Sequence, residues 1–83
     1  MNYDVVLSMD AVEDVLRIAM ASGAKSKVIN ASHQIQEALR SDPVATGKHL
    51  SEGLYFIDCE PLRAFFTIDF DEMSVEIVNV KQV

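Results

Sequence analysis

The protein is a chain of 83 residues, which is long enough for one hydrophobic core and too short for a second catalytic lobe. Hydrophobic residues make up 49% of the sequence and charged residues 24%, a composition that excludes an intrinsically disordered chain. Thirteen acidic and seven basic residues give a net charge of −6, which disfavours tight non-specific binding to nucleic acid. We therefore predict a single domain, residues 1–83, that gains stability from a partner or a second copy.

Cysteine usage and hydropathy indicate where the protein works. Cys59 is the one cysteine, so an internal disulfide is excluded. The first residues lack the basic start and apolar stretch of a signal peptide, and no apolar run reaches the roughly 18 residues of a membrane span. The sequence predicts a cytoplasmic protein without a membrane partner.

The first half of the chain predicts a strand followed by two helices. Residues 3–8 are rich in β-branched and aromatic residues, which favours a short strand. A helix then follows, with Ser8 or Asp10 as its cap and Gly23 at its end. Its buried stripe is predicted from helical spacing to be Val12, Val15, Leu16, Ala19 and Met20.

The second helix is predicted to run from Ser26 to Leu39 or Arg40 and to pack antiparallel to the first. Its narrower buried stripe is Val28, Ala31, Ile35 and Leu39. Pro43 ends this helix because proline lacks the backbone N–H and crowds the preceding turn. Residues 42–52 are predicted to be a loop.

Three further strands form a meander in the second half, at 54–59, 62–68 and 75–80, with a turn at Glu60-Pro61. Alternation along the middle strand places one set in the core, namely Leu62, Ala64, Phe66, Ile68 and Phe70. The opposite face carries Arg63, Phe65, Thr67 and Asp69. The register of the last hairpin is open, with Asp69 opposite either Ser74 or Glu76.

The predicted element order is β-α-α-β-β-β. An economical arrangement for such a chain is an α+β fold, a two-layer α/β sandwich with a helical hairpin packed on one face of a mainly antiparallel sheet. One face of the sheet then stays uncovered. Arg63 is predicted to lie on that uncovered face.

Several segments resemble the RelE/ParE superfamily of small toxins from type II toxin–antitoxin modules, in particular a short plasmid-stabilisation-like branch. The resemblance lies in residues 38–43, Gly47, Gly53, residues 61–69 and residues 75–80. It implies a RelE/ParE-like domain. Some members of the family are ribonucleases that cut messenger RNA, mostly in the ribosomal A-site, and others poison DNA gyrase; a cognate antitoxin wraps around and neutralises each.

The resemblance implies a role for Arg63, because ribonuclease members place a basic residue on this strand to hold a phosphate. Metal-independent cleavage also needs a proton donor and a proton acceptor, and we consider Tyr55, Lys48 and His49 as candidates. The alternative is that Arg63 pairs with a nearby carboxylate such as Glu60 or Asp69. No cofactor is expected, and no metal-ligand spacing is present.

The chain also departs from the ribonuclease pattern. Leu54 follows Gly53 where an arginine is usual, and the sequence ends Val80-Lys81-Gln82-Val83 without the family's His, Tyr or Arg. We therefore keep a non-catalytic binding module on the same fold, such as a gyrase poison or a partner-binding protein, beside a weak or degenerate metal-independent endoribonuclease toxin. A third hypothesis, an acidic homo-oligomeric structural protein, depends on the aromatic residues and the small core.

Aromatic residues cluster between positions 55 and 70, on strands whose two faces cannot both be covered by a single helical hairpin. Some of these side chains should therefore be exposed. We expect Tyr55, Phe65 and Thr67 to contribute to a partner-binding surface. The expected partner is a cognate antitoxin, with a second copy of the chain, the ribosome with its mRNA, or gyrase as further possibilities. Residues 51–83 contain seven acidic and two basic residues, which favours a basic partner segment.

Overall fold

A computed structural model of the protein describes residues 2–83. In chain order its elements are β1 (Asp4–Leu7), α1 (Met9–Ser22), α2 (Lys25–Ser41), α3 (Pro43–Thr46), β2 (Lys48–Ser51), β3 (Leu54–Cys59), β4 (Leu62–Asp69) and β5 (Ser74–Gln82). The predicted strand, helical hairpin and three-stranded meander are confirmed. The prediction of a loop over residues 42–52 is wrong, because this segment contains the short helix α3 and the additional strand β2.

The five strands form one sheet in the order β1-β5-β4-β3-β2. β1 runs parallel to β5, and every other neighbouring pair is antiparallel. Helices α1 and α2 cover one face, so the predicted α+β two-layer architecture is confirmed. The core between the layers contains Phe66 and Leu62 from the sheet and Leu39 and Val28 from α2, all fully buried.

Helix α1 begins and ends where the sequence predicts but turns a different side to the core. The Ser8 hydroxyl accepts a hydrogen bond from the backbone N–H of Ala11, and Gly23 adopts a left-handed conformation at the other end. The buried residues are Ala11, Val15, Ile18 and Ala19. The prediction that Val12, Leu16 and Met20 are buried is wrong, because apolar residues occupy more than one side of α1 and the neighbouring side faces the core.

The buried stripe predicted for α2 is confirmed: Val28, Ala31, Ile35 and Leu39 all lie in the core. The helix starts at Lys25, one residue before the predicted Ser26. Its N-cap residue, Ala24, makes no side-chain hydrogen bond to the helix. Asp42 ends α2 and caps α3, accepting a hydrogen bond from the backbone N–H of Ala45.

The last hairpin pairs Asp69 with Ser74, the first of the two registers that the sequence allows. Glu76 therefore lies opposite Thr67 and avoids a like-charge pair with Asp69. A register shift next to Phe65 inserts an extra residue into β5. The predicted core position of Phe70 is wrong: its side chain is 55% exposed, because β4 ends at Asp69 and Phe70 begins the turn.

The longest helix of the fold is α2, with 17 residues. Within residues 2–83 no helix combines the length and the apolar character that crossing a membrane requires.

Candidate functional site

The face of the sheet opposite the helices carries the candidate site, and we call it the open face. Arg63 lies between the buried residues Leu62 and Ala64 on β4, and successive side chains of a strand point to opposite faces. Arg63 therefore projects onto the open face, as predicted. Its cross-strand neighbours are Asp58 on β3 and Lys81 on β5.

The guanidinium of Arg63 is held by Asp58 in a two-point contact. Nε donates to Asp58 Oδ1 at 2.6 Å, and Nη2 donates to Oδ2 at 2.9 Å. The carboxylate partner is thus Asp58 and not Glu60 or Asp69. Glu60 lies in the β3–β4 turn, whereas the strand register places Asp58 directly across from Arg63. Such a bidentate geometry is the strongest form of an arginine–carboxylate contact.

The charges of this pair support each other. The hydrogen bonds from Arg63 lower the pKa of Asp58 below its ordinary value against the smaller opposing effect of burial, and the positive charges of Arg63 and Lys48 act in the same direction. The hydrogen bond to Asp58 raises the pKa of Arg63 in return. Both groups therefore stay charged at neutral pH, and a phosphate approaching Arg63 meets the Asp58 carboxylate beside it.

Aromatic rings continue the site along the open face. The Arg63 guanidinium carbon lies 4.6 Å from the centre of the Phe56 ring, within the range of a cation–π contact. The Phe56 and Phe65 ring centres are 6.5 Å apart, and Lys81 Nζ is 6.0 Å from the Phe65 ring centre. Cations and aromatic rings thus form one continuous row across β3, β4 and β5.

A cavity of about 470 Å³ lies between α1 and the open face. Its lining is apolar at Leu50, Leu54 and Phe65, and it carries positive charge from Arg17 and Lys81. A second cavity of about 230 Å³ is lined by Lys48, Phe56 and Asp58 together with Thr46 and Ile57. The open face therefore offers shallow, mixed apolar and charged surfaces.

Asp14 forms the acidic side of the larger cavity. Its carboxylate accepts hydrogen bonds from the backbone N–H of Val80 at 2.9 Å and from Arg17 Nη2 at 2.6 Å. Burial opposes ionisation of this carboxyl, but the hydrogen bonds from Val80, Arg17 and Asn79 outweigh it and lower its pKa. Asp14 is therefore a charged group that joins α1 to β5.

Tyr55 and His49 lie on the other side of the sheet. Tyr55 is paired with the buried Phe66, and their rings stack with centres 5.6 Å apart. The His49 ring packs edge-on against Tyr55 at 5.2 Å. The structure therefore separates the four candidate catalytic residues into Arg63 and Lys48 on the open face and Tyr55 and His49 on the helix side.

The candidate partner-binding residues divide in the same way. Phe65 and Thr67 alternate with the core residues of β4 and lie on the open face, both partly exposed, whereas Tyr55 packs against the core. Sequence reasoning missed Asp14 and Lys81 as parts of the site. The sequence does contain a signal for the pairing of Asp58 with Arg63, because a two-residue turn at Glu60-Pro61 makes those two positions cross-strand neighbours.

Within residues 2–83, no three His, Cys, Asp or Glu side chains come close enough together to hold a metal ion. The Cys59 thiol is partly exposed and donates a hydrogen bond to Gln34 Oε1 at 3.1 Å.

Comparison with known proteins identifies the fold. No protein-family model matches the sequence, and no curated protein matches it. Solved structures do match over the full length. The chain is similar to a chain of the toxin–antitoxin complex RelBE2 from Mycobacterium tuberculosis, with a TM-score of 0.84 and 19% identity, covering 100% of this chain and 93% of that one.

Two further structures show the same similarity. A chain of the archaeal RelE–RelB complex from Pyrococcus horikoshii OT3 matches with a TM-score of 0.73 and 14% identity, covering 99% of this chain and 96% of that one. A chain of the chromosomal ParDE system from P. aeruginosa matches with a TM-score of 0.71 and 19% identity, covering 98% and 96%. The chain has the fold of the RelE and ParE toxins of type II toxin–antitoxin complexes.

Proposed function

We propose that this chain is the toxin-fold component of a type II toxin–antitoxin pair and that it acts by binding other proteins rather than by cutting RNA. The full-length similarity to chains of RelBE2, RelE–RelB and ParDE complexes supports the first part. Because a fold alone does not determine an activity, the second part depends on the side chains of the open face.

The observation that carries the binding function is the bidentate contact between Asp58 and Arg63. Cleavage of RNA without a metal needs a cation on the phosphate and two groups that move protons. Here the Asp58 carboxylate binds Arg63, the cation that would otherwise hold a phosphate. Tyr55 and His49, the candidates for moving protons, lie on the other side of the sheet. The net charge of −6 further weakens attraction to an RNA backbone.

Co-expression tests the proposed function. The product of the reading frame next to this gene is produced with and without this chain, and the mixture is analysed by size-exclusion chromatography with light scattering. We expect the two proteins to elute as one complex, and the chain produced alone to slow bacterial growth. Separate elution together with normal growth would contradict the proposal.

An endoribonuclease is the second candidate, because Arg63, Lys48 and Lys81 place three cations on the open face. Asp58→Asn removes the carboxylate that binds Arg63 and keeps the size of the side chain. The wild-type chain, Asp58→Asn and Asp58→Asn/Arg63→Ala are incubated with ribosomes translating a defined mRNA, and the transcript ends are mapped by primer extension.

The two candidates predict different outcomes. The binding function predicts intact transcripts with all three proteins. Inhibition of the DNA supercoiling activity of gyrase in a parallel assay would also agree with this function. Cleavage by the wild-type chain, or cleavage that appears in Asp58→Asn and disappears when Arg63 is also replaced, would establish the ribonuclease instead.

A further inference from the structure

Within residues 2–83 the sheet presents three backbone edges, and two of them are protected against pairing with a further strand. β2, at one side of the sheet, is exposed at every residue but contains Lys48, His49 and a register shift between His49 and Ser51. At the other side, the part of β5 beyond β1 has the N–H of Val80 bonded to Asp14. Charged side chains and bulges at an edge are the usual means of preventing strand addition.

β1 is the third edge, and it lacks this protection. Its sequence is Asp-Val-Val-Leu, without lysine, arginine or proline, and its pairing with β5 has no register shift. It is first in the strand order, and in the described part of the chain it pairs with β5 alone. The Val6 side chain is 55% exposed. An exposed apolar edge of this kind favours pairing with another strand.

The backbone groups that β1 offers to a further strand belong to Val5 and Leu7. The N–H groups of Asp4 and Ser8 donate to carbonyl groups of the turn before β5 and of β5 itself, so both point toward β5. Successive residues of a strand direct their backbone groups to alternate edges. The N–H and carbonyl groups of Val5 and Leu7 therefore point away from the sheet.

This outer edge is short at both ends. Tyr3 lies before it, and its N–H already donates to the carbonyl of Arg40 at 2.8 Å. After it, α1 begins at Met9. A pairing strand therefore finds available N–H groups on β1 at Val5 and Leu7, and a segment no longer than β1 itself is sufficient to reach both.

A second copy of the chain supplies a segment of this length in a register that satisfies both residues. When two β1 strands run antiparallel about a twofold axis at Val6, Val5 of each copy lies opposite Leu7 of the other. Each of these symmetric pairs exchanges N–H and carbonyl bonds, and the two Val6 side chains meet on the axis as the closer, non-hydrogen-bonded type of pair. A register centred on Val5 would instead set Leu7 opposite Tyr3, whose N–H is occupied.

Charge repulsion at this edge is modest. Each copy carries a net charge of −6, but Asp4 is the one charged residue of β1. In the register centred on Val6 the two Asp4 residues lie four strand positions apart, which is about 13 Å at about 3.3 Å per residue. This separation exceeds the screening distance of about 8 Å at physiological ionic strength. Added salt should therefore strengthen the association.

We propose that the outer edge of β1 pairs with the same edge of a second copy, so that two sheets join about a twofold axis at Val6. The proposal goes beyond the proposed function and does not depend on it. A stable interface usually buries about 800 Å² on each partner, more than a strand of 4 residues provides. The dimer should therefore be weak and exchange with the monomer at micromolar to millimolar concentrations.

Sedimentation velocity from about 10 µM to about 1 mM tests the association. Val6→Lys places two cations beside each other on the axis. Val44→Lys is the matched control, because it adds the same charge on α3 and Val44 is 51% exposed where Val6 is 55% exposed. Circular dichroism verifies that both variants keep the fold.

We expect the dissociation constants of the wild-type chain and of Val44→Lys to agree within about threefold. Val6→Lys should weaken dimerisation by about tenfold or more. Raising the salt concentration from about 0.15 M to about 0.5 M should tighten the wild-type dimer. A chain that stays monomeric up to about 1 mM, or a dimer that Val6→Lys leaves intact, would overturn the proposal.

Disulfide cross-linking tests the register directly. In a Cys59→Ser background, Val6→Cys places a thiol on the axis, where facing residues lie within the Cα separation of a disulfide. Under mild oxidation we expect this variant to form the cross-linked dimer at least about tenfold faster than Val44→Cys in the same background. Equal rates for the two variants would exclude the pairing about Val6.

Hydrogen exchange of single amides identifies the occupant of the edge. The N–H groups of Val5 and Leu7 should exchange about twofold or more slowly at about 1 mM than at about 50 µM, whereas that of Val6, which points toward β5, should not change. Exchange of Val5 and Leu7 that ignores concentration would place any dimer contact elsewhere. If only the product of the neighbouring reading frame protects these amides, a strand of that protein is the occupant and the proposal fails, while the proposed function stands.

Discussion

The carboxylate of Asp14 on α1 accepts a hydrogen bond of 2.9 Å from the backbone N–H of Val80 on β5. β1 pairs with β5 only along Ser74–Ile77, so the N–H of Val80 lies beyond the end of that ladder. A helix side chain thus replaces a neighbouring strand at this point. The contact joins the two layers of the fold by a charged group as well as by apolar packing.

Replacement of Asp14 by alanine should destabilise the fold. The substitution leaves the Val80 N–H without its acceptor in a partly buried position, and we expect the free energy of unfolding to fall by about 1–3 kcal/mol. Urea denaturation of wild type and variant measures the difference. Glu13→Ala, on the exposed side of the same helix, is the control and should change stability by less than about 0.5 kcal/mol. Equal effects of the two substitutions would contradict the role given to Asp14.

The same carboxylate predicts an acid dependence of stability. Its pKa in the folded protein lies below the ordinary value of 3.8. Folding therefore favours the ionised form, and this contribution is complete above the unfolded pKa and is lost as the pH falls through the folded pKa. Urea midpoints measured from about pH 6 to about pH 2.5 should fall more steeply for wild type than for Asp14→Asn. Parallel curves would show that Asp14 does not carry the effect.

Ser8 should contribute to stability through two hydrogen bonds. Its hydroxyl accepts from the backbone N–H of Ala11 at 3.1 Å and donates to the carbonyl of Val78 at 2.9 Å. We expect Ser8→Ala to lower the free energy of unfolding by about 1–2 kcal/mol. Ser8→Thr keeps a hydroxyl and should recover most of the loss in the same urea titration. A threonine variant as unstable as the alanine variant would argue that packing, not hydrogen bonding, determines this position.

The opposite effect is expected at the start of α2. Ala24 occupies the N-cap without a side-chain hydrogen bond to the helix, so Ala24→Ser should raise the free energy of unfolding by about 0.5–1 kcal/mol. Thermal denaturation followed by circular dichroism detects the change. A serine one position later, in Lys25→Ser, lies within the helix and should give no gain; equal gains from both variants would exclude capping as the cause.

Gly47 should not tolerate a side chain. A Cβ atom at this position would overlap the ring of the fully buried Phe66 and lie 3.0 Å from the carbonyl oxygen of Pro43. We expect Gly47→Ala to destabilise the fold by about 1–3 kcal/mol. The cost should shrink when Phe66→Leu makes room, so the double variant should be more stable than the sum of the single effects predicts. Strict additivity would contradict a clash with the ring.

The sequence predicted the elements best where one periodicity dominates. β4 alternates without interruption between buried and partly exposed residues from Leu62 to Thr67, a pattern that places Arg63 on the open face. The stripe of α2 is narrow, so only one side of that helix was a candidate for the core. In α1 apolar residues cover a wider arc, and helical spacing alone does not determine which part is buried. The contact from Asp14 to β5 is part of the packing that determines it.

Strand β2 lay beyond local sequence reasoning for a different reason. Lys48, His49 and Ser51 are polar and have little preference for a strand. These residues become a strand because they pair with Tyr55 and its neighbours on β3. The chain therefore acquires this strand from a tertiary partner and not from its own propensity.

The candidate site was predictable in part. The two-residue turn at Glu60-Pro61 determines that Asp58 faces Arg63, so this pair was within reach of the sequence. The same register sets Tyr55 opposite the buried Phe66, so the position of Tyr55 on the helix side was within reach of the sequence too. The contact of Asp14 with β5 was not, because it joins residues far apart along the chain.

The parallel pairing of β1 with β5 determines when the fold can be completed. The contact between Ser8 and Val78 spans seventy positions along the chain, so β1 cannot take its place until β5, far along the chain, is available. Contacts this distant along the chain slow the search for the native state. The apolar side of α1 packs against β5, so this side stays partly unprotected until that strand joins the sheet.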